Sequence, residues 1–99
     1  MSNEKFKLVT IICEPVLSSS LVSMIRELGA TGFTISDVRG EGSGEKRSGE
    51  IPNEKIKIEV VGEDGLSKKL MKEIANKYFK NYSLIVYSTD LEVIRHEKF

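Results

Sequence analysis

The stretch that decides the fold covers residues 29–52 and reads GATGFTISDVRGEGSGEKRSGEIP. It opens as a strand, because the side chains from Phe33 to Val38 would point alternately to the two faces of a sheet. It then changes into a loop with glycines at positions 40, 42, 44 and 49. About fifteen residues separate Arg39 from the next strand pattern at Lys55, whereas hairpin connections usually contain about two to five residues. A loop of this length indicates a functional segment, and a tolerated surface insertion is the alternative.

The elements on either side of this loop follow a regular order. Hydrophobic periodicity predicts four strands, two helices and a last short extended piece. The predicted strands are Phe6 to Cys13, about Gly32 to Arg39, Lys55 to Val61 and Leu84 to Ser88, and the extended piece is Leu91 to Ile94. The first helix runs from Pro15 to a cap at Gly29. The second follows a turn at Gly62 to Gly65 and runs from about Leu66 to Lys80. The order is β-α-β-β-α-β, the ferredoxin-like arrangement, and it predicts one α+β domain over residues 1–99.

The first strand is apolar on both faces. One face carries Phe6, Leu8 and Ile12, and the other carries Val9, Ile11 and Cys13. Such a strand is expected in the middle of a sheet that is covered on both sides. Two helices on one face leave the other face open, so we expect another subunit to cover it in a closed ring of subunits. A dimer that uses the same face is the alternative.

The composition excludes several classes of protein. Charged residues make up 30% of the 99 residues and cancel to a formal net charge of zero, so the basic excess of a broad nucleic-acid surface is missing. A single cysteine excludes an internal disulfide and favours a reducing compartment. Cys13 is expected to be buried and unreactive, because it lies in line with other apolar residues. No signal-peptide pattern or long apolar run is present, which predicts a soluble cytoplasmic protein without direct lipid anchoring.

Residues suited to catalysis are few. The single histidine, His96, lies near the C-terminus, and one histidine with one cysteine cannot form a zinc site of ordinary ligand spacing. The loop lacks the lysine-serine or lysine-threonine end of a P-loop, and Glu45 stands where the dinucleotide-binding pattern needs a glycine. We therefore expect neither an enzyme nor a metal site, and no required cofactor.

The chemistry of the loop suits phosphate instead. Backbone amides freed by glycine can form an anion-binding concavity. Ser43 adds a hydroxyl, and Lys46 and Arg47 add positive charge. The guanidinium fork of Arg47 matches phosphate oxygens. Three glutamates in the same loop oppose this interpretation, and a solvated loop of mixed charge is the alternative.

Several segments resemble a known family. GATGFT followed by VRGEGS resembles the PII signalling proteins, in which a similar segment and strand lead into a long loop, the T-loop. RSGEIPNEKIKIEV and ANKYFKNYSLIVY look like the PII-like proteins partnered with the bicarbonate transporter of cyanobacteria. The resemblance covers almost the whole chain, with the T-loop at about residues 40–54. It implies a homotrimer that binds an adenine nucleotide (AMP, ADP, cAMP or ATP) as an effector in clefts between subunits.

The same resemblance implies the residues of the site. The nucleotide would be bound by Gly32, Phe33, Thr34, Gly40, Gly42, Ser43, Arg47, Ser83 and Leu84. The first three would bound the adenine or ribose, the next three would lie near the phosphates, and Arg47 would contact phosphate. The last two would line the cleft from the other side with their backbone. The partner-binding part of the loop would comprise Glu45, Lys46, Arg47, Ser48, Gly49 and Glu50.

The sequence departs from the family pattern at several points. A second phosphate-contacting arginine of the transporter-linked branch is replaced by Gly44, for which Lys46 could compensate. The chain stops at Phe99 without the cysteine-bounded C-terminal loop of some members, so the redox control and nucleotide hydrolysis tied to that loop are not expected. The loop has no tyrosine to uridylylate and lacks the glutamine that helps hold Mg-ATP and 2-oxoglutarate, so 2-oxoglutarate sensing is not expected.

The leading hypothesis is a nonenzymatic sensor whose T-loop reports the bound nucleotide to a partner. The resemblance implies a membrane transporter as that partner, such as a bicarbonate transporter, which would recruit the protein to the membrane. A nucleotide or bicarbonate sensor associated with carboxysomes or carbon metabolism is the alternative. Slow nucleotide hydrolysis and a trimeric metal-tolerance protein of the CutA type are weaker hypotheses, because the sequence offers no evident catalytic base or ligand cluster.

Overall fold

The computed structural model describes residues 5–41 and 54–98. The elements are β1 (Phe6–Cys13), a 3₁₀ turn (Pro15–Leu17), α1 (Ser18–Glu27), β2 (Thr34–Arg39), β3 (Glu54–Glu63), α2 (Asp64–Tyr78), β4 (Ile85–Leu91) and a second 3₁₀ turn (His96–Lys98). This order confirms the predicted ferredoxin-like α+β sandwich. Neither helix within these ranges is long and apolar enough to cross a bilayer.

The four strands form one antiparallel sheet in the order β2-β3-β1-β4. β1 pairs with β3 from Phe6 to Cys13 and with β4 from Phe6 to Ile12. Its central position confirms the prediction from its two apolar faces. β2 and β4 are the edge strands and lie on opposite sides of the sheet.

The core lies between the sheet and the two helices. Ile56, Ile58 and Val60 of β3 are buried, whereas Lys57 and Glu59 between them are half-buried on the other face, as strand alternation predicts. The other members of the buried cluster are Val9, Ile11, Cys13, Leu17, Leu21, Met24, Ile25, Leu70, Ile74 and Tyr78. Full burial of a large aliphatic side chain contributes about 1.5–3 kcal/mol, so these contacts between the sheet and the helices stabilise the fold.

The first helical segment begins and ends where its flanking residues predict. Pro15 occupies the first position of the 3₁₀ turn that leads into α1, where its missing N–H costs no hydrogen bond. Gly29 has a φ of 97°, which glycine adopts without strain. The N–H groups of Gly29 and Ala30 donate to the carbonyl oxygens of Arg26 (3.0 Å) and Ile25 (3.2 Å), which is the Schellman pattern of a helix end. The predicted cap at Gly29 is confirmed.

The predicted turn at Gly62 to Gly65 is wrong. β3 continues to Glu63, and α2 begins at Asp64, before the predicted Leu66. Glycine often interrupts a strand, but Gly62 instead allows a close approach of Leu66. A Cβ at position 62 would clash with Cδ2 of Leu66 and lie 3.3 Å from its Cγ. Gly62 and Glu63 pair with Lys7 and Phe6 of β1, so the strand continues until it passes directly into the helix.

The chain after α2 also departs from the prediction. The helix ends at Tyr78, whose carbonyl oxygen accepts the N–H groups of Asn81 and Tyr82. Phe79 follows the apolar row of the helix in the sequence but is 52% exposed, because the chain turns at this point and the residue no longer faces the core.

The edge strands have different limits from those predicted. β2 begins at Thr34 and not at Gly32. β4 runs without a break to Leu91, so the separate extended piece at Leu91 to Ile94 is wrong. Thr89 and Asp90 are polar, so hydrophobic periodicity did not indicate that the strand continues through them. They pair with β1 through the backbone, which does not require an apolar side chain.

The face of the sheet away from the helices remains partly apolar. Strand alternation puts Leu8 and Ile12 on this face, and the register puts Ile85 and Tyr87 beside them. Leu8 and Ile12 are half-buried, whereas Ile85 is 54% exposed and Tyr87 is 44% exposed. We call this surface the open face. Contiguous apolar surface of this kind usually marks a site of interaction.

Candidate functional site

The first group of predicted site residues lies where the chain enters β2. Gly32 is exposed, and an added Cβ there would meet open space. Phe33 is half-buried against the core, and Thr34 is the first residue of β2, paired with Glu59. The guanidinium carbon of Arg26 lies 5.5 Å from the centroid of the Phe33 ring. The predicted Gly32–Thr34 segment is therefore a surface segment held by one aromatic side chain.

The second group lies where the T-loop leaves the sheet. β2 ends at Arg39, and Gly40 follows it on the surface. A cavity of about 350 Å³ lies beside this point. Its lining residues are Pro15, Asp37, Val38, Arg39, Glu54 and Lys55. Two acidic and two basic residues line it, so the cavity suits a polar ligand that carries groups of both charges or both donors and acceptors of hydrogen bonds.

Sequence reasoning missed Arg39 and Lys55 as candidate residues of this cavity. Arg39 is exposed, whereas Lys55 is 7% exposed. A cation occurs immediately before the first loop glycine and another at the start of the following strand. Because β2 and β3 are paired neighbours, with Val38 opposite Lys55 and Arg39 opposite Glu54, that pattern could have indicated two cationic residues at adjacent positions of the sheet at the base of the loop.

Cys13 lies at the same end of the sheet but is not part of a reactive site. Its side chain is fully buried. The pKa of its thiol is raised from 9.0 to about 11, mainly by burial and also by the charge of Glu14, whereas the positive charge of Lys55 opposes these effects. A thiol with so high a pKa is a poor nucleophile near neutral pH. The prediction of a buried cysteine is confirmed.

The third group, Ser83 and Leu84, lies immediately before β4. Ser83 is exposed, and Leu84 is half-buried against the core. The preceding Tyr82 donates its N–H to the carbonyl oxygen of Tyr78 at 2.9 Å. The rings of these two tyrosines meet edge to face at 5.9 Å.

The hydroxyl of Tyr78 forms a hydrogen bond with that of Ser20 in α1. Ser20 belongs to a run of three serines at the start of α1, but it is half-buried and connects the two helices. Tyr78 therefore links α1 to the turn that carries Ser83 and Leu84. No local sequence pattern could have indicated this pair, because the residues are far apart in the chain.

One chain does not bring the predicted residues into a single site. The Gly32–Thr34 segment and Gly40 belong to the β2 edge, whereas Ser83 and Leu84 belong to the β4 edge. Three interstrand spacings separate these edges, which is roughly 14 Å at about 4.8 Å per spacing. A nucleotide that contacts both groups would need a second copy of the chain to supply one of them.

The remaining predicted residues lie outside the described part of the chain. They are Gly42, Ser43, Glu45, Lys46, Arg47, Ser48, Gly49 and Glu50. Their roles in nucleotide and partner binding stay predictions.

Two other features do not belong to this site. A cavity of about 440 Å³ lies between α1 and α2 and has polar side chains from both helices, but none of the predicted residues lines it.

At the opposite end of the sheet, Lys7 contacts Asp90 and Asp64. The hydrogen bond to Asp90 raises the pKa of Lys7 and lowers that of Asp90. Exposed ion pairs of this kind contribute little to stability.

Comparison with protein families identifies the chain. The family model described as "Nitrogen regulatory protein P-II" matches residues 6–98. The chain belongs to the P-II family.

Solved structures agree with this P-II assignment. A PII-like signalling protein from Thermus thermophilus is 35% identical, with a TM-score of 0.81, and the match covers 96% of this chain and 95% of that one. CPII from Thiomonas intermedia, bound to ADP and bicarbonate, is 25% identical, with a TM-score of 0.83 and coverage of 96% and 94%. The apo form of the same CPII matches at 20% identity, a TM-score of 0.75 and coverage of 90% and 91%, which shows the shared fold.

The P-II fold accounts for the position of the long loop. β2 and β3 are neighbours that pair from Thr34–Glu59 to Arg39–Glu54, so the loop between them leaves from one end of the sheet. Four of the six residues that line the smaller cavity at its base are charged. Within residues 5–41 and 54–98, no group of three or more histidine, cysteine, aspartate or glutamate side chains could hold a metal ion.

Proposed function

We propose that this P-II protein is a nonenzymatic sensor that binds an adenine nucleotide between the subunits of a homotrimer and regulates a partner protein through its T-loop. ADP and AMP are the first ligands to test, and bicarbonate is the candidate co-ligand. Membership of the P-II family supports the signalling role. Similarity to CPII bound to ADP and bicarbonate supports the class of ligand.

The observation that carries the proposal is the distribution of the candidate residues over opposite edges of the sheet. Thr34 lies on the β2 edge and Leu84 precedes the β4 edge. A cleft in which the β2 edge of one subunit meets the β4 edge of the next would unite them. In a closed ring this contact repeats at every interface, so each cleft would hold one complete site.

The open face supports the same assembly. Ile85 and Tyr87 expose about half of their side-chain surface there, and a second subunit would remove that surface from water. Apolar area contributes about 25 cal/mol per Å² when it is buried. Three subunits that pack their open faces together would extend the modest core of a 99-residue chain.

The T-loop would respond to the nucleotide through its degree of order. Fixing the backbone of one residue costs roughly 1–2 kcal/mol, so a loop of this length orders only if new contacts offset the cost. Charge-assisted hydrogen bonds from Arg47 to phosphate would contribute part of that energy. AMP, ADP and ATP present different numbers of phosphates, so they would favour different loop states.

The partner that we propose is a membrane transporter, with a bicarbonate transporter as the specific candidate. Residues 45–50 (EKRSGE) would form the contact, since this polar, glycine-containing segment has no apolar cluster to pack against its own domain. A regulated protein of carbon metabolism is the other candidate. A captured transporter would be found in the membrane fraction of the cell, whereas a metabolic protein would be found in a different fraction.

The test is a calorimetric titration of the purified protein with AMP, ADP, cAMP and ATP, each with and without bicarbonate and magnesium. We expect saturable binding of at least ADP or AMP at one site per chain. Binding of none of them would overturn the sensor role. Steady-state release of phosphate would favour the hydrolase hypothesis, and stoichiometric retention of a transition metal would favour the metal-tolerance hypothesis.

A further inference from the structure

Arg26 lies beside the entrance to the proposed nucleotide site without belonging to the predicted set. It is exposed in the last turn of α1, and its guanidinium carbon lies 5.5 Å from the centroid of the Phe33 ring. A guanidinium at this distance is attracted by the negative face of an aromatic ring. Phe33 also packs against the hydrophobic core. The ring is therefore held by both the core and one cation.

The position of Arg26 is itself fixed by the helix end. Its carbonyl oxygen accepts the N–H of Gly29, and the carbonyl oxygen of Ile25 accepts the N–H of Ala30. This double hydrogen bond sets the path of the chain as it leaves α1. The guanidinium therefore projects from a regular helix and not from a loop.

Gly32 and Phe33, the segment beside Arg26, lie outside the hydrogen-bonded ladder of the sheet. The hydrogen-bonded ladder of β2 begins at Thr34, so Gly32 and Phe33 precede it. An added Cβ at Gly32 would meet open space. The side chain of Phe33 is thus the main anchor of the two residues that come before the strand, and its orientation decides where their backbone groups lie.

We infer that Arg26 is a positioning residue for the nucleotide site. Through the ring of Phe33 it holds the backbone of Gly32–Thr34 in the conformation that receives the base or ribose, and it makes no contact with the phosphates. This inference rests on the proposed function. Arg26 thereby raises the fraction of ligand-free molecules in which the Gly32–Thr34 backbone is already in the conformation that binds nucleotide.

The test compares Arg26→Gln, Arg26→Lys, Phe33→Leu and the double variant Arg26→Gln/Phe33→Leu with the parent. Lys72→Gln removes one exposed cation from α2 and is the charge-matched control. Affinities for AMP, ADP and ATP are measured by calorimetry. Amide hydrogen exchange over residues 31–34 is measured without ligand.

Arg26→Gln should weaken the binding of all three nucleotides by the same factor, about two- to five-fold, which corresponds to the loss of an exposed cation–π contact. Arg26→Lys should recover most of the affinity, because it restores the cation. Exchange over residues 31–34 should become faster in Arg26→Gln and remain unchanged in Lys72→Gln. In the Phe33→Leu background, Arg26→Gln should have no further effect on affinity.

Three results would overturn the inference while leaving the proposed function intact. The first is unchanged affinity and exchange in Arg26→Gln. The second is a loss that grows from AMP to ATP, which would indicate a direct phosphate contact. The third is additive losses in the double variant. If the parent binds no adenine nucleotide, the proposed function fails, and the exchange data alone decide whether Arg26 holds the segment.

Discussion

Cys13 is the residue whose chemistry the fold changes most clearly. Its thiol has a pKa of 9.0 in an exposed setting, and burial raises the pKa to about 11 in the folded protein. Between these two values, the unfolded chain releases a proton that the folded chain retains. Rising pH therefore favours unfolding over this range.

We predict that the free energy of unfolding falls between about pH 9 and pH 11 more steeply in the parent than in Cys13→Ala. Denaturant titrations of both proteins at a series of pH values measure the difference in slope. The native thiol should also react slowly with an aromatic disulfide reagent at about pH 8 and quickly after unfolding. Equal slopes together with fast native labelling would show that Cys13 is accessible.

Arg47 is the residue on which we expect phosphate affinity to depend most. Hydrogen bonds to charged groups contribute about 1.5–3 kcal/mol, so Arg47→Ala should weaken ADP binding by roughly 10- to 100-fold. The substitution lies in the loop between β2 and β3 and should leave the thermal midpoint unchanged. Calorimetry of ADP and AMP tests this, with Lys72→Gln as a charge-matched control. Parent-like affinity would remove Arg47 from the site.

At the scale of elements, the junction of β3 and α2 distinguishes two glycines that look alike in the sequence. A Cβ at Gly62 would clash with Leu66, whereas a Cβ at Gly65 would meet open space inside the first turn of α2. Gly62→Ala should therefore destabilise the fold by about 1 kcal/mol, since crowding outweighs the reduced entropy of the unfolded chain. Gly65→Ala should stabilise it by about 0.5–1 kcal/mol.

Chemical denaturation of the two alanine variants measures both changes. A third protein, Gly62→Ala/Leu66→Ala, provides the control, because shortening Leu66 removes the clash. The cost of Gly62→Ala should become smaller in that background. A stabilising Gly62→Ala would show that the close approach of Leu66 has been misassigned.

The T-loop is the element whose deletion separates assembly from signalling. Removal of residues 45–49 should leave the oligomer intact, because we expect the subunits to assemble through the sheet. It should weaken nucleotide binding as Arg47→Ala does, since the same arginine is lost. It should also abolish co-purification of the native partner from host membranes, whereas Arg47→Ala retains the rest of the loop as a control. A deletion variant that still retrieves the partner would put the contact elsewhere.

At the scale of the whole molecule, the open face predicts the state of assembly. We expect light scattering to give a mass near three times the 11.1 kDa of one chain. Tyr87→Lys adds a charge to the open face and should shift the protein toward monomers, because burying an unpaired charge is costly. Phe79→Lys changes a similarly exposed aromatic residue at the end of α2 and should not. A stable monomer of the parent at micromolar concentration would exclude the ring.

Local patterns in the sequence were sufficient for most of the architecture. The alternation of Ile56, Ile58 and Val60 determined which face of β3 is buried, and the two apolar faces of β1 determined its central position. Gly29 marked the end of α1, because only a residue without Cβ adopts a φ of 97° without strain. These inferences succeeded because periodicity and backbone freedom depend on residues close together in the chain.

The tertiary structure decided what depends on residues far apart in the chain. Pairing with Lys7 of β1 makes Gly62 part of a strand and not of a turn. The bond between Ser20 and Tyr78 joins two helices across 58 positions. The strand order puts the two groups of candidate nucleotide residues on opposite edges of the sheet. No sequence window contains these relations, because they arise only when the helices pack on the sheet and bring distant side chains into contact.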